Sequence, residues 1–186
     1  MDFQAYEQEF QKILHNPEPA PPYNNPDYLN YTKLNWSRQS RWLKTGKLSE
    51  DIIAAAKSIT QPQHWIIITE PWCGDAAHLV PFFQMIAALN PLITTEYQLR
   101  DSPPFLIHQY LTNGTSKSIP KLIMRDAAGK DIAVWGPRPA GCQTLYDRLK
   151  HEQADFEQMK ISLQQWYNED KGVSVQLELL PLLHNY

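Results

Sequence analysis

The sequence predicts an α/β fold, a three-layer α/β/α sandwich with a mixed four-stranded central sheet. In its first half, apolar β-branched segments at 64–69 and 93–99 flank a helical segment, as in parallel strands joined by a helical crossover. In its second half, short strands at 121–125 and 131–135 are separated by the turn sequence DAAGK, which predicts an antiparallel hairpin. A parallel pair and an antiparallel pair together predict a mixed sheet.

The helical spacing of apolar residues predicts three helices before the first strand, at 2–15, 27–45 and 49–62. A segment with five prolines, 16–26, separates the first two helices, because proline cannot continue a helix. Asp27 is placed to cap the second helix. The N-terminal third of the chain is therefore expected to be helical.

Further helices are predicted between and after the strands. One helix follows the first strand over 74–90, and a short helix is expected over 105–112, after the second strand. A long helix is predicted over 139–168, and a last helix is predicted over 173–184. The second half of the chain thus combines the hairpin with a helical C-terminal region.

We expect these elements to form one structural domain with three parts. Residues 1–62 would be an N-terminal helical extension packed on the core, and residues 63–150 would be the α/β core itself. Residues 151–186 would be a C-terminal helical extension. A length of 186 residues suits one extended domain better than two separate domains.

Composition excludes several classes of function. The net charge of −3 gives no support to binding of nucleic acid or of a membrane surface. The N-terminal sequence MDFQAYEQEF has no basic or apolar signal region, and no apolar run approaches ~20 residues, so a cytoplasmic protein is expected. Two cysteines without clustered histidines predict neither a structural disulfide nor a zinc site. No metal or organic cofactor is expected.

The stretch TEPWCGDAAHLVP at 69–81 contains a candidate nucleophile. Cys73 follows a predicted strand and begins a predicted helix, where unpaired N–H groups and the helix dipole favour a thiolate. Asp75 opposes this effect, because its carboxylate can cancel a dipole interaction of roughly 0.3–1 kcal/mol. Ala76 stands where a C-x-x-C motif would have its second cysteine. The stretch therefore contains one candidate thiol and no resolving thiol one turn later.

Four ordered motifs make residues 63–150 resemble a thioredoxin-like protein. The strand HWIIIT runs into W-C-G at 72–74, and Pro81 follows where thioredoxins have the proline that kinks the active-site helix. The sequence S-I-P at 118–120 precedes the strand KLIM and resembles the cis-proline loop. The hairpin then leads into W-G at 135–136. The W-C-G-D form resembles a bacterial subgroup of the thioredoxin-like superfamily.

The resemblance implies roles for individual residues. It identifies Cys73 as the attacking cysteine, and Pro120 as a cis-proline that lies beside it and pairs with substrate backbone. Ala76 replaces the resolving cysteine, and Ile67 replaces a buried acid that assists proton transfer in thioredoxins. Gly74 would also let a partner chain come close. The residues expected to bind substrate around the thiol are Trp72, Gly74, Asp75, Ile119, Pro120 and Gly136.

Two functions from different classes remain open from the sequence. In the first, Cys73 performs thiol-disulfide exchange, and a second thiol from a small molecule or a partner protein resolves the mixed disulfide. In the second, the protein is a non-catalytic binding module that holds a peptide or partner in the cleft at Pro120. The missing resolving cysteine favours binding, whereas the retained W-C-G sequence favours chemistry. The expected partners are a disulfide-containing protein or a low-molecular-weight thiol.

Four side chains outside these motifs each have a functional and a structural interpretation. Cys142 either resolves Cys73 or is a small buried hydrophobe, which is the usual role of free cysteine. Glu70 is either a proton carrier near the thiol or an ordinary loop carboxylate. His78 is expected on the surface, because it lies about 500° around the helix from Cys73. Arg138 is either a contact for an anionic substrate or a loop residue without that role.

Overall fold

The computed structural model describes residues 1–184 and confirms the predicted α/β fold class with its mixed four-stranded sheet. The strands are β1 (Gln63–Thr69), β2 (Ile93–Leu99), β3 (Lys121–Asp126) and β4 (Asp131–Trp135). The α-helices of the described residues are α1 (Phe3–His15), α2 (Pro26–Thr45), α3 (Glu50–Ser58), α4 (Gly74–Ala87), α5 (Ala140–His151), α6 (Phe156–Asp170) and α7 (Val173–His184). Within residues 1–184, none of these helices combines the length and the hydrophobicity that a membrane span requires.

The sheet has the order β2-β1-β3-β4, with β1 at its centre. β1 is parallel to β2 and antiparallel to β3, so Ile67 pairs with Tyr97 on one side and Leu122 on the other. β3 and β4 form the predicted antiparallel hairpin. The pairing of Ile68 with Lys121 brings the start of β3 beside the end of β1. The loop that precedes β3 therefore lies next to the loop that follows β1.

The N-terminal helix α1 packs on the edge strand β2. Tyr6 stacks on Tyr97 with ring centroids 5.3 Å apart and an interplanar angle of 12°, and its hydroxyl shares a 3.2 Å hydrogen bond with the Thr69 hydroxyl. Phe10 is buried with Tyr6 in the main core. Met1 bonds to Tyr97 at both its amino group and its carbonyl, at 3.0 and 2.7 Å. This helix therefore belongs to the same hydrophobic core as the sheet.

The second helix, α2, packs on α4 and on the loop that leads into it. The Asn35 side chain donates a 3.0 Å hydrogen bond to the carbonyl of Pro71, in the loop after β1. Farther along α2, Trp42 donates a 2.8 Å hydrogen bond to His78 of α4. Both contacts are buried, so the N-terminal extension is fixed against the segment that contains the candidate thiol.

Two helix assignments near the loops need correction. Asn25, rather than Asp27, caps α2: its side-chain oxygen accepts the Asp27 N–H at 2.8 Å, and Pro26 takes the first helical position. The helix predicted over 105–112 is a single 3-10 turn, Leu106–Gln109, that follows a residue in left-handed conformation. In both places, residues of the preceding loop determine where the helix begins.

The single long helix predicted over 139–168 is wrong, because α5 ends at His151 and α6 starts at Phe156. Gln153 has a left-handed backbone with φ of 57°, which an α-helix cannot include. Asp155 then accepts the N–H of Gln158 at 2.8 Å, which caps a new helix. Apolar residues continue at helical spacing across the break, so the pattern of the sequence does not indicate where α5 ends.

Candidate functional site

The sulfur of Cys73 is the point at which two sequence motifs meet. Cys73 caps α4: its Sγ accepts the N–H of Ala76 at 3.5 Å, and its own N–H donates to the Glu70 carbonyl at 3.0 Å. The same sulfur donates to the carbonyl of Ile119 at 3.5 Å. The Ile119–Pro120 peptide bond is cis. The fold thus brings the W-C-G and S-I-P motifs together at one thiol.

The Cys73 thiol is buried and holds its proton tightly. The residue is 7% exposed, and burial is the main reason why the pKa of its thiol is raised to about 12. The carboxylate of Asp75 raises this pKa further, whereas the N–H of Ala76 and the charge of Arg138 act in the opposite direction. The helix N-terminus therefore does not outweigh burial in the described structure.

We predict that this pKa makes alkylation of Cys73 by iodoacetamide slow at pH 7. The rate should rise about tenfold for each pH unit between 7 and 10, because only the thiolate reacts. Mass spectrometry would resolve Cys73 from Cys142, and the protein in denaturant provides the control in which both thiols label quickly. Fast labelling of Cys73 in the native protein at pH 7 would contradict this prediction.

The side chain of Asp75 belongs to a buried polar cluster. Its Oδ2 pairs with Nη2 of Arg138 at 2.7 Å, and its Oδ1 accepts the Tyr167 hydroxyl at 2.8 Å. The side chains of the ion pair are only 10% and 14% exposed. The Arg138 guanidinium also lies 4.3 Å from the centre of the Tyr146 ring. The charge of Arg138 is therefore neutralised by Asp75 within the chain, so the guanidinium is not free to bind an anionic substrate.

Gly74 is covered by the protein's own side chains rather than by a partner chain. A Cβ atom at this position would overlap the Tyr31 hydroxyl and would lie 3.3 Å from Nε2 of Gln164. Tyr31 belongs to α2 and Gln164 to α6, so one helix from each extension reaches the first turn of α4. The expectation that Gly74 leaves space for a partner is corrected, because the space is filled from within.

Trp72 remains half-buried, and a cation occupies one of its faces. The Arg100 guanidinium carbon lies 4.5 Å from the centre of the indole ring. Arg100 is held in turn by Asp101, through two hydrogen bonds of 2.9 and 2.6 Å. This arrangement is a cation–π contact. The aromatic contact surface expected beside the thiol is thus partly used within the chain.

Gly136 packs directly on the backbone of the S-I-P loop. A Cβ atom at Gly136 would overlap the Pro120 carbonyl oxygen, and its φ of 118° favours glycine in any case. The buried ammonium of Lys121 donates a 3.0 Å hydrogen bond to the Gly136 carbonyl. These contacts fix the loop after β4 against the loop before β3. Gly136 and Pro120 are therefore in direct contact.

His78 is buried, so its prediction as a surface residue is wrong. It is 2% exposed and stacks on the Tyr167 ring with centroids 4.6 Å apart. Nδ1 accepts the Trp42 N–H at 2.8 Å, so the proton of the neutral ring is on Nε2, which bonds to Gln164 at 2.6 Å. Burial lowers the pKa of His78 to about 4. The neutral ring thereby links α2, α4 and α6.

A signal for this burial is present in the sequence of α4. The run GDAAHLVPFFQMIA has apolar residues on all sides of the helix and only two other ionisable or amide side chains. A helix that is apolar all round is buried all round. The angle between His78 and Cys73 describes their separation on the helix correctly, but it contains no information about solvent.

Glu70 and Cys142 are both buried. Glu70 is 5% exposed and accepts the Asp101 N–H at 2.9 Å, and burial raises the pKa of its carboxyl to about 7. Cys142 is fully buried in α5, and both cysteines are free. Across residues 1–184, no group of three His, Cys, Asp or Glu side chains is arranged to hold a metal ion. The site therefore consists of one thiol among buried polar groups.

A family model described as thioredoxin matches residues 23–153, more than half of the chain. The chain belongs to this thioredoxin family. The matched residues include α2, the whole sheet, α4 and the S-I-P loop. The helix α2 is therefore part of the family's common region, although the sequence places it in an extension outside the core.

Two solved structures resemble this thioredoxin-family chain along nearly its full length. An HIV epitope-scaffold has a TM-score of 0.61 at 13% identity and covers 100% of this chain and 93% of its own. A protein of unknown function from Pseudomonas aeruginosa has a TM-score of 0.59 at 14% identity, and the match covers 99% of this chain and 92% of that protein's chain. At such identities the likeness shows the fold alone. No curated protein sequence matches the chain.

Two buried positions in this thioredoxin-family member lack the groups that a dithiol exchange cycle uses. Ala76 is 1% exposed one turn after Cys73, and it has no thiol with which to resolve a mixed disulfide. Ile67 is fully buried in β1 and has no proton to transfer. A dithiol cycle confined to the W-C-G-D-A segment is therefore impossible, and any exchange at Cys73 needs a second thiol from elsewhere.

Proposed function

We propose that the protein is a thiol-disulfide oxidoreductase that acts through the single thiol of Cys73. One observation supports the proposal most strongly: the sulfur lies between the N–H of Ala76 and the carbonyl of Ile119, each 3.5 Å away. An N–H group at a helix start favours the thiolate, which is the nucleophile. As the resemblance to thioredoxins implies, the S-I-P loop would pair with the backbone of an extended substrate peptide once the buried Ile119 and Pro120 become accessible.

The proposed reaction has two exchanges. The Cys73 thiolate attacks one sulfur of a disulfide, a new S–S bond forms, and the other sulfur leaves as a thiolate. A second thiol then attacks the mixed disulfide, which releases the thiol of Cys73 and forms a new disulfide with the former substrate. The substrate is a disulfide-containing protein or small disulfide. The second thiol is a low-molecular-weight thiol or a partner protein of the cytoplasm, and the site needs no metal or organic cofactor.

The burial of Cys73 sets a condition on this reaction. Tyr31 and Gln164 cover the first turn of α4, and Tyr167 binds the side chain of Asp75 in the same turn. Because Cys73 is only 7% exposed, a disulfide reaches its sulfur only when the residues around it move. The exchange rate would then be the product of the open fraction and the thiolate fraction.

We predict that Cys73→Ser abolishes release of a coloured thiol from an aromatic disulfide such as dithiobis(nitrobenzoate). Cys142→Ser is the matched control and should keep the native rate, because its thiol is fully buried in α5. Mass spectrometry should find the adduct on Cys73, and added small thiol should remove it. The absence of an adduct on Cys73 in the native protein would overturn the proposed function.

The alternative is a binding module that uses the cleft at Pro120 without turnover. The burial of Cys73 and the raised pKa of its thiol, about 12, favour this alternative, as does the missing thiol at position 76. Under this alternative, Cys73→Ser leaves partner binding unchanged, whereas a bulkier residue at Gly136 weakens it. The same serine variant therefore separates the two functions.

A further inference from the structure

Ionisation of Cys73 changes the interactions of its sulfur. The thiol donates to the Ile119 carbonyl, but a thiolate has no proton to donate, so this carbonyl oxygen becomes a repulsive neighbour. The N–H of Ala76 still faces the sulfur, and the carboxylate of Asp75 still opposes the negative charge. A thiolate in this buried place is therefore sensitive to any additional hydrogen-bond donor.

The hydroxyl of Tyr31 lies against the same turn of α4. A Cβ atom at Gly74 would overlap this hydroxyl, so only a glycine lets it approach the backbone between Cys73 and Asp75. Burial is the main reason why the pKa of the Tyr31 hydroxyl is raised, and negative charge on Asp75 and Cys73 raises it further. The hydroxyl therefore lies beside the residue that directly follows Cys73 in the chain.

The ring of Tyr31 is fixed by its surroundings. The Arg38 guanidinium carbon lies 5.0 Å from the ring centre, and the Lys160 ammonium lies 5.1 Å from it. The α2 helix is fixed in turn by the 3.0 Å bond from Asn35 to the Pro71 carbonyl, two residues before Cys73. Burial raises the pKa of the Tyr31 hydroxyl, so it keeps its proton at neutral pH. It is thus a positioned donor.

We propose that the Tyr31 hydroxyl donates a hydrogen bond to the Cys73 sulfur when the thiolate forms and attacks a disulfide. The inference rests on the proposed function and adds a residue from the N-terminal extension to it. The thiol proton passes to a base in solution, and Tyr31 keeps its own proton throughout. As the new S–S bond forms, negative charge leaves the Cys73 sulfur for the departing sulfur, so the hydrogen bond helps most before the attack.

The test compares Tyr31→Phe with Tyr28→Phe in the full chain. Tyr28 lies one turn earlier in α2 and is 45% exposed, so it controls for loss of a hydroxyl from the same helix. Iodoacetamide labelling of Cys73 is followed between pH 7 and 11. Tyr31→Phe should slow labelling about tenfold at a given pH, because one pKa unit shifts the profile by one pH unit. Tyr28→Phe should reproduce the native profile.

A third variant, Tyr31→Ala, distinguishes hydrogen-bond donation by the hydroxyl from steric cover by the ring. Loss of the whole ring opens the first turn of α4, which should speed labelling, whereas loss of the hydroxyl alone should slow it. If Tyr31→Phe has the native profile, or speeds labelling as Tyr31→Ala does, the hydroxyl is not a donor and the inference is overturned. Native protein that labels normally but forms no adduct with an aromatic disulfide would instead overturn the proposed function and leave the donor role intact.

Discussion

Replacement of Gly172 by alanine is expected to lower the free energy of unfolding by about 2–5 kcal/mol. Gly172 lies between α6 and α7 with φ of 77°, and a left-handed backbone costs an alanine about 1–2 kcal/mol. A Cβ atom would also overlap the Phe82 ring, which is fully buried in α4. Overpacking of this kind costs about 1–3 kcal/mol more, because the ring has no free space to enter.

Gly129→Ala provides the matched control for this experiment. Gly129 has nearly the same backbone conformation, with φ of 80°, but nothing lies within 4 Å of the Cβ position. Its replacement should therefore cost only the conformational term, about 1–2 kcal/mol. Denaturant unfolding of both variants measures the difference. Equal losses would show that Phe82 gives way and that the contact beneath Gly172 is not tight.

Acid is expected to destabilise the native protein through His78. Burial lowers the pKa of His78 from its ordinary value of 6.5 to about 4, so the unfolded chain binds the proton more tightly. The stability contributed by the neutral ring is complete above pH 6.5 and is lost as the pH falls to about 4. The full loss is about 3 kcal/mol, at about 1.4 kcal/mol for each pKa unit.

The measurement compares native protein with His78→Gln between pH 7 and 4. The native protein should lose about 3 kcal/mol of unfolding free energy relative to the variant over this range. His108→Gln, which replaces an exposed histidine, is the control and should follow the native curve. Parallel curves for native protein and His78→Gln would mean that His78 does not titrate differently in the folded state.

Comparison with a variant is necessary because Glu70 changes the free energy of unfolding with pH in the direction opposite to His78. Burial raises the pKa of its carboxyl from 4.5 to about 7, so the folded protein binds this proton more tightly. The stability linked to Glu70 is therefore complete below pH 4.5 and is lost as the pH rises through 7. The two contributions overlap in pH, and they partly cancel in the native protein alone.

The parts of the fold that depend on local chemistry could be predicted from the sequence. The strand 131–135 is found as predicted, and the DAAGK turn before it closes as expected, with Asp126 accepting the N–H groups of Ala128 and Lys130 at 2.9 Å. Gly129 provides the left-handed residue of this turn. The break at 152–155 could not be predicted, because it depends on one left-handed residue within a continuous apolar spacing.

The candidate site also has a part that could be predicted from the sequence and a part that could not. The meeting of Cys73 with the S-I-P loop was implied by the resemblance to thioredoxins, because both motifs occur in the order found in that family. The cover of Tyr31, Gln164 and Tyr167 could not be predicted, since these residues lie far from Cys73 in the sequence and no local pattern connects them. Their contacts are decided by how α2 and α6 pack, and tertiary packing leaves no periodic signal of its own.

The cover over α4 has a consequence for the order in which the protein folds. The bond between Asp75 and Tyr167 spans 92 residues, and that between His78 and Gln164 spans 86. Contacts of such long range form late, because closing a long loop costs entropy before any contact repays it. During synthesis from the N-terminus, the first turn of α4 is made well before α6 exists to pack on it. The nascent chain therefore passes through a stage in which the turn that begins at Cys73 lacks the contacts that α6 provides.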